Sequence, residues 1–405
     1  IDANVTTILT AIILAYFGLG PIKGFAVVLI IGVLSSLFTA VLLTRLVIDW
    51  WVSKGRNLTF WTGWSKDMFA NLNFDWVGKR RLAYTISGVL IVAGIISMFT
   101  RGFDLGVDFK GGYSFNVEFV GDAPSADELR TTLDQAFEGH TPVVKAVDTE
   151  NTFNIVTDYL VDSEDDDAQN QVIAKLYEGL QQLGAVNTSL ETFSHADAVG
   201  VTHITSFSKV GPTIADDIKN SAWEATVFAL LAIFLYIFLR FSKWQYSLGA
   251  VVALFHDVLI TLGMFSMLHG FVPWTLEIDQ AFVAAILTVV GYSINDTVVV
   301  FDRIREFFGL YSDKGKDEII NDAINNTFSR TIITSLTTLF VVALLFFFGG
   351  TSIKGFAFAL MVGIIVGTYS SIFIATPVMS DLSGDIRVGA KKQKTSFSKA
   401  AAKAR

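Results

Sequence analysis

One apolar stretch decides the fold of this chain: Ala281-Phe-Val-Ala-Ala-Ile-Leu-Thr-Val-Val-Gly-Tyr-Ser-Ile-Asn-Asp-Thr-Val-Val-Val-Phe301. It is long enough to span a lipid bilayer, because about 20 apolar residues suffice. Near its C-terminal end it carries Asn295 and Asp296, and a carboxylate within a spanning helix costs roughly 2.5–3.5 kcal/mol on insertion scales. Such a residue normally faces the protein interior and has a function. The stretch therefore predicts a spanning helix with a functional acidic side chain.

The composition extends this prediction to the whole chain. Of the 405 residues, 52% are hydrophobic and 17% are charged, and the mean hydropathy is +0.52. Soluble domains contain about 25% charged residues, so this chain is too apolar to be one. The net charge of -8 gives no reason to expect a nucleic-acid partner. Because the sequence has no cysteine, disulfides, cysteine metal sites and thiol catalysis are excluded.

The common catalytic motifs are also missing from the sequence. It contains no phosphate-binding loop, HExxH pair, nucleophile elbow or dinucleotide fingerprint. We therefore expect neither an enzyme nor a bound cofactor or metal ion. An ion gradient is favoured over ATP hydrolysis as the energy source, and a separate ATPase stays open as the alternative.

Eight apolar segments predict a polytopic α-helical membrane protein. Two of them lie in region 1–48, one lies in 82–100, and five form a bundle in 220–380. The predicted spans are approximately 3–19, 24–47, 82–99, 222–239, 246–268, 278–301, 331–348 and 355–378.

The distribution of charged residues predicts the orientation in the membrane. The tail 381–405 is basic, and Lys or Arg residues also occur in the linker 49–81, in the turn with Arg240 and Lys243 and in the loop 302–328. If the tail is cytoplasmic, alternation of the spans places the linker and this loop on the same side, as the positive-inside rule requires. The hydrophilic region 101–219 then lies outside, in the periplasm.

The region 101–219 predicts one small α/β domain. Alternating apolar residues indicate a strand at 113–120, and Ser125 followed by Glu128 is a capping-box pattern that starts a helix. Further elements give the order β-α-β-β-α-β, which is typical of a ferredoxin-like fold. The last strand is expected at either 185–193 or 199–207.

The two ends of the membrane region repeat each other. Phe17-Gly-Leu-Gly-Pro-Ile-Lys-Gly-Phe-Ala26 matches Phe348-Gly-Gly-Thr-Ser-Ile-Lys-Gly-Phe-Ala357 at an offset of 331 residues. The same offset relates Gly32 to Gly363. Because both copies cross the membrane in the same direction, we expect a parallel repeat whose axis lies along the membrane normal.

Few ionisable residues lie within the predicted spans. Arg330, at the start of the next span, is the candidate partner of Asp296, and His256 and Asp257 lie in the middle of the preceding span. Together with Asn295 and nearby hydroxyl groups, they predict a proton pathway, because such chains order water and pass protons. Two other interpretations stay open. Asp296 and Arg330 could form a static ion pair, and His256 and Asp257 could form a hydrogen-bonded structural pair.

Several motifs resemble those of the SecD/SecF family of protein-export membrane proteins, which are relatives of the resistance-nodulation-division transporters. The N-terminal segments are similar to the last two spans of SecD, and from about Phe74 the chain resembles SecF, so the resemblance implies a fused SecDF. The motifs that carry the resemblance are Asp2-Ala-Asn-Val-Thr-Thr7, Gly20-Pro-Ile-Lys-Gly-Phe-Ala26, Gly106-Val-Asp-Phe-Lys-Gly-Gly112, Val210-Gly-Pro-Thr-Ile-Ala215, Leu254-Phe-His-Asp257, Gly291-Tyr-Ser-Ile-Asn-Asp-Thr297 and Asp302-Arg-Ile-Arg-Glu306.

The resemblance implies an accessory subunit of the Sec translocase in the bacterial inner membrane. Such a subunit uses the proton-motive force to help complete the export of unfolded preproteins. The implied partners are the translocon channel SecYEG, small membrane proteins such as YajC, the preprotein, membrane lipids and protons. By motif position, Asp296 and Arg330 match the proton-pathway Asp and Arg of the family.

Two other functions stay open at this point. One is a proton-driven exporter of small molecules or lipids from the same superfamily, and the other is a scaffold of the translocon that transports nothing. The chain begins Ile1-Asp-Ala-Asn4 without Met. We therefore expect it to be the C-terminal part of a longer protein.

Overall fold

The structure is a computed structural model that describes residues 2–59, 72–121, 123–147, 151–163, 165, 167–272, 274–311, 313–350 and 353–384. The predicted basic tail and the centre of the predicted linker lie outside the described residues. The helices are α1 Asp2–Phe17, α2 Gly20–Leu37, α3 Thr44–Ser53, α4 Arg80–Thr100, α5 Val107–Lys110, α6 Ala126–Ala136, α7 Ala168–Gln182, α8 Leu190–Ser194, α9 Pro212–Phe241, α10 Trp244–Leu268, α11 Gln280–Leu310, α12 Lys316–Phe348, α13 Lys354–Ser370 and α14 Thr376–Leu382.

Long apolar helices dominate the molecule. Within the described part of the chain, seven helices are long and apolar enough to cross a membrane, and α1 is a shorter apolar helix. A π-helical turn, Phe38–Leu43, joins α2 to α3, and a second, Ser371–Ala375, joins α13 to α14. The prediction of a polytopic membrane protein with about eight membrane helices is therefore confirmed.

The helix α12 begins much earlier than the sequence predicted. It starts at Lys316, so the predicted loop 302–328 is in fact the end of α11, a short turn and the first turns of α12. Ile319, Ile320 and Ile324 are buried in this extension. Apolar residues three to four positions apart keep one helix face against the core, and this spacing continues the helix beyond its membrane-spanning part.

The helix α11 is the most buried of the spanning helices, and it packs against α1, α10, α12 and α13. Its contact with α13 is close because small residues line α13. A Cβ atom on Gly363 would overlap the Val289 side chain, and one on Gly367 would lie 2.9 Å from Ser293 Cβ. Such small residues allow the backbones of membrane helices to approach each other.

The predicted repeat allows a matched test of this packing. Gly363→Ala forces a Cβ against the stiff, β-branched Val289 and should destabilise the protein by about 1–3 kcal/mol, as overpacking does. Gly32→Ala, at the corresponding position of the first copy, meets nothing within 4 Å and should be neutral. Thermal unfolding in detergent measures both. Equal losses in the two variants would contradict the close α11–α13 contact.

The region between α4 and α9 folds as one four-stranded antiparallel sheet. Its strands are ordered β2-β3-β1-β4, and α6 and α7 supply buried leucines to its core. This is the predicted ferredoxin-like topology. The last strand is near the second of the two predicted positions, whereas 185–193 contains α8. The strands are β1 Gly112–Glu118, β2 Val143–Val147, β3 Thr152–Thr157 and β4 His203–Val210.

Two glycines allow the chain to enter β1. Gly111 has φ 75° and Gly112 has φ 130°, conformations that side chains disfavour. A Cβ on Gly112 would also lie 2.6 Å from the carbonyl oxygen of Thr157 in β3. The Gly-Gly pair is therefore required where the chain leaves the membrane helices and joins the sheet.

Candidate functional site

The side chain of Asp257 in α10 is fully buried and has several hydrogen-bond donors around it. Ser293 Oγ of α11 donates to Asp257 Oδ2 at 2.6 Å, and Ser370 Oγ of α13 donates to the same atom at 2.8 Å. His256 Nδ1 lies 2.9 Å from Asp257 Oδ1. Three helices thus converge on one carboxylate, which is well satisfied by hydrogen bonds.

His256 extends this cluster to a fourth helix. Its Nε2 lies 2.9 Å from Ser87 Oγ of α4, and Ser87 Oγ lies 3.1 Å from the hydroxyl of Tyr369 in α13. The imidazole also stacks on the Tyr369 ring. Ser87 has one hydroxyl proton and two neighbours, so the direction of the hydrogen bonds in this chain depends on the tautomer of His256.

Asp296, three residues after Ser293 in α11, has a different environment. Its side chain is 4% exposed, and Ser335 Oγ of α12 donates to Asp296 Oδ2 at 3.3 Å. Thr368 of α13 donates to Ser335 Oγ at 2.7 Å. Among the described residues, this carboxylate has fewer and longer side-chain hydrogen bonds than that of Asp257.

The structure brings Arg330 near Asp296 but does not join them. The guanidinium of Arg330 attracts the carboxylate electrostatically, yet in the described part of the chain the two do not form a direct ion pair. Arg330 is also exposed on α12, whereas Asp296 is buried. The structure therefore does not show Asp296 and Arg330 as a tight ion pair.

Asn295 lies on a different face of α11 from the two carboxylate clusters. It is two residues from Ser293, and two residues turn a helix by about 200°. Its Oδ1 is buried and has no hydrogen-bond partner among the described residues. Buried polar atoms of this kind bind water in protein interiors, but Asn295 is not part of either cluster.

A polar segment of α13, Thr368 to Ser371, joins the two clusters. Thr368 bonds to Ser335 beside Asp296, and Ser370 bonds to Asp257. Ser371 Oγ lies 2.8 Å from Thr297 Oγ1 of α11, and the π-helical turn of α13 begins at Ser371. Single π-helical turns inside α-helices occur frequently at functional sites.

Sequence reasoning missed this segment of α13. Serine and threonine are common in spanning helices and carry no charge, so Ser370 and Ser371 resemble ordinary packing residues in the sequence. Ser87 was missed for the same reason. A signal was available in Thr368-Tyr-Ser-Ser371, which places four consecutive hydroxyl side chains within the predicted span 355–378.

These groups suit proton chemistry better than metal binding. Two buried carboxylates, an imidazole and several hydroxyls can accept, donate and relay protons. Among the described residues, no group of three His, Asp or Glu side chains could hold a metal ion.

Comparisons with known proteins agree with this architecture. Residues 190–385 match the family described as "Protein export membrane protein SecD/SecF, C-terminal", and residues 96–123 match the "SecD/SecF GG Motif". The latter match includes the glycine pair that enters β1.

Three relatives illustrate the extent of the similarity. The chain is 47% identical over 315 residues to the protein translocase subunit SecF of Rhodothermus marinus, covering 78% of this chain and 95% of that protein. It is 34% identical over 387 residues to SecDF of Brucella abortus, covering 94% of this chain and 46% of the relative. The crystal structure of SecDF from Thermus thermophilus superimposes with a TM-score of 0.77 at 30% identity, covering 94% of this chain and 48% of that one.

The fold and the site define an α-helical membrane protein with an intramembrane ionisable site and one ferredoxin-like domain outside the bundle. With its relatives beside it, the chain belongs to the SecD/SecF family of protein-export membrane proteins. It spans about half the length of the SecDF relatives that it matches.

Proposed function

We propose that this chain is part of an accessory subunit of the Sec translocase that uses the proton-motive force to help complete preprotein export. Its relatives are translocase subunits by name. In this proposal the α/β domain is periplasmic, the C-terminus is cytoplasmic, and the protein lies in the inner membrane. The proposed partners are the SecYEG channel, small membrane proteins such as YajC and the unfolded preprotein.

The observation that carries this proposal is the contrast between Asp296 and Asp257. Both are buried carboxylates of spanning helices, but Asp257 is well satisfied by hydrogen bonds and Asp296 is not. A buried carboxylate with one long hydrogen bond is neutral when it is protonated. When it is ionised, a nearby cation offsets its negative charge. Asp296 is therefore the residue that takes up and releases protons in this proposal.

Arg330 and the His256–Asp257 pair have supporting roles. The cation of Arg330 offsets the charge of Asp296 after the proton leaves, because an unpaired buried charge is costly. The His256–Asp257 pair forms the second polar cluster, and its hydrogen bonds hold α4, α10, α11 and α13 together. Since α13 contacts both carboxylate clusters, a change at Asp296 reaches this pair through the hydroxyl groups of Thr368 and Ser370.

The proposal is tested with the full-length protein in inverted membrane vesicles that contain the complete translocase. Preprotein translocation is started with ATP, and its completion is then followed with an imposed proton gradient. Asp296→Asn removes the exchangeable proton and should abolish the gradient-dependent part of completion. The matched control Asp302→Asn changes a half-exposed carboxylate on the same helix and should retain it. If Asp296→Asn assembles normally and completes export as the unaltered protein does, the chain acts as a scaffold instead.

A further inference from the structure

A lysine of the α/β domain makes an ionic contact with the segments that connect the domain to the membrane helices. Lys145 Nζ, on β2, lies 2.9 Å from Asp104 Oδ2 and 3.0 Å from Glu277 Oε2. The Lys145 side chain is 11% exposed, and its partners are 24% and 23% exposed. These ion pairs are therefore partly shielded from water and are worth more than exposed pairs.

Lys145 lies at the end of a row of polar side chains on one face of the sheet. Lys145 pairs in register with Asn154 of β3, which is opposite Asn116 of β1. Asn154 Nδ2 donates to Asn116 Oδ1 at 2.7 Å, and Asn116 Nδ2 donates to Ser206 Oγ at 2.9 Å. A row of polar side chains therefore crosses the sheet and ends at Lys145.

The acidic partners of Lys145 are attached firmly to the start of α11. The backbone of Ile278 bonds to Asp104 O at 2.8 Å and accepts from Gly106 N at 2.9 Å. A Cβ on Gly106 would lie 3.0 Å from Glu277 Oε1, so the two segments touch. Asp279 caps α11 by accepting from Phe282 N at 2.7 Å. Glu277 is therefore held close to the first turn of α11.

A second contact strengthens this attachment on the membrane side. Gln280, the first residue of α11, donates its backbone N–H and its side-chain Nε2 to Asp108 at 3.2 Å and 2.9 Å. With Asp104, Glu277 and Asp279, four carboxylates meet here. Burial, with repulsion from Glu277 and Asp108, raises the pKa of Asp279 to about 6. The positive charge of Lys145 offsets part of this negative charge.

A polar gap separates the sheet from these segments. A cavity of about 210 Å³ lies between them, with Ser114 and Asn116 on the side of the domain and Glu277 and Asp279 on the side of α11. Lys145 reaches across this gap. Lys145 thus connects β2 to the start of α11 across the gap, in addition to the contacts made by the segment that enters β1.

We infer that Lys145 is a positioning residue that couples the orientation of the α/β domain to α11 and, through α11, to the Asp296 site. This inference rests on the proposed function, because it concerns how proton exchange at Asp296 is linked to the orientation of the α/β domain. Nothing in the chemistry of Lys145 requires it to touch a proton or a substrate.

The test compares three variants of the full-length protein in two assays. Lys145→Gln removes the cation, Lys145→Arg restores it, and Lys175→Gln makes the same change at a lysine of the same domain whose partners, Glu138 and Glu178, also belong to that domain. One assay follows proton entry into proteoliposomes, and the other follows gradient-dependent completion of export in vesicles.

The two assays together show whether proton entry is still coupled to completion of export. Lys145→Gln should keep proton entry and lose at least about fivefold in completion, within the range of coupling between linked sites. Lys145→Arg and Lys175→Gln should behave as the unaltered protein. Equal completion in Lys145→Gln and Lys175→Gln would overturn the inference. In that case Asp296→Asn, run in parallel, shows whether the proposed function still stands.

A crosslink provides a second measurement in case Lys145→Gln folds poorly. The chain has no cysteine, so Ala146→Cys with Thr275→Cys places the only two thiols of this chain on the lining of one cavity while Lys145 stays in place. Bridging them with a reducible reagent should stop gradient-dependent completion, and reduction should restore it. Completion that continues at the full rate with the bridge closed would contradict coupling through this junction.

Discussion

Replacing Asp257 with alanine should destabilise the folded protein strongly. The carboxylate is fully buried and has His256, Ser293 and Ser370 as partners. Its removal leaves these polar groups unsatisfied and opens a cavity where four helices meet. Breaking a buried polar network of this kind costs about 3–5 kcal/mol, which is a large share of the 5–15 kcal/mol that stabilises a typical protein. The amount of monodisperse protein after detergent extraction, and its thermal midpoint, measure the effect.

Two further variants complete this experiment. Asp302→Ala removes a half-exposed carboxylate on α11 that pairs with Arg240 and Arg305, and it should cost less than about 1 kcal/mol. Asp257→Asn keeps an acceptor oxygen for the serines and should fold better than Asp257→Ala. If Asp257→Asn folds but admits no protons, His256 and Asp257 belong to the proton path. If it folds and admits them normally, the pair is structural.

Replacing Arg330 with glutamine should lower gradient-dependent export at least about tenfold, which corresponds to 1.4 kcal/mol. The reason is that ionised Asp296 then loses the cation that offsets its charge within the membrane, and uncompensated buried charge costs several kcal/mol. The proton can then leave Asp296 only with difficulty, and the cycle slows. Completion of export in vesicles measures this change.

The same completion assay separates the effect of the positive charge at Arg330 from the effect of its position. Arg330→Lys keeps the positive charge and should retain part of the activity, although lysine lacks the planar guanidinium. Arg303→Gln removes an arginine of α11 that pairs with Glu306 near the end of the helix, and it should have little effect. Full activity in Arg330→Gln would show that Arg330 does not support proton exchange at Asp296.

The sequence predicts the membrane architecture well because hydrophobicity and helix length are local properties. The capping box at Ser125 and Glu128 forms as expected, since both groups lie within one helical turn. The parallel repeat stays a prediction, although each copy has a π-helical turn, Phe38–Leu43 in the first and Ser371–Ala375 in the second.

The candidate site is only partly predictable from the sequence. Asp296, Arg330, His256 and Asp257 are evident because ionisable residues are rare in spanning helices. Their partners Ser87 and Ser370 are distant in sequence and carry no charge, so only the packing of α4 and α13 reveals them. The contacts of Lys145 are unpredictable for the same reason, since surface lysines are common and their partners depend on the tertiary fold.

In the proposed function, protons cross this protein by way of Asp296. The most direct measurement is the rate of acidification inside proteoliposomes that contain the full-length protein and a pH-sensitive dye, with an imposed gradient and membrane potential. Asp296→Asn should reduce proton entry to the rate of protein-free liposomes, while Asp302→Asn should leave it unchanged. Proton entry at the unaltered rate in correctly assembled Asp296→Asn would contradict a proton path through Asp296.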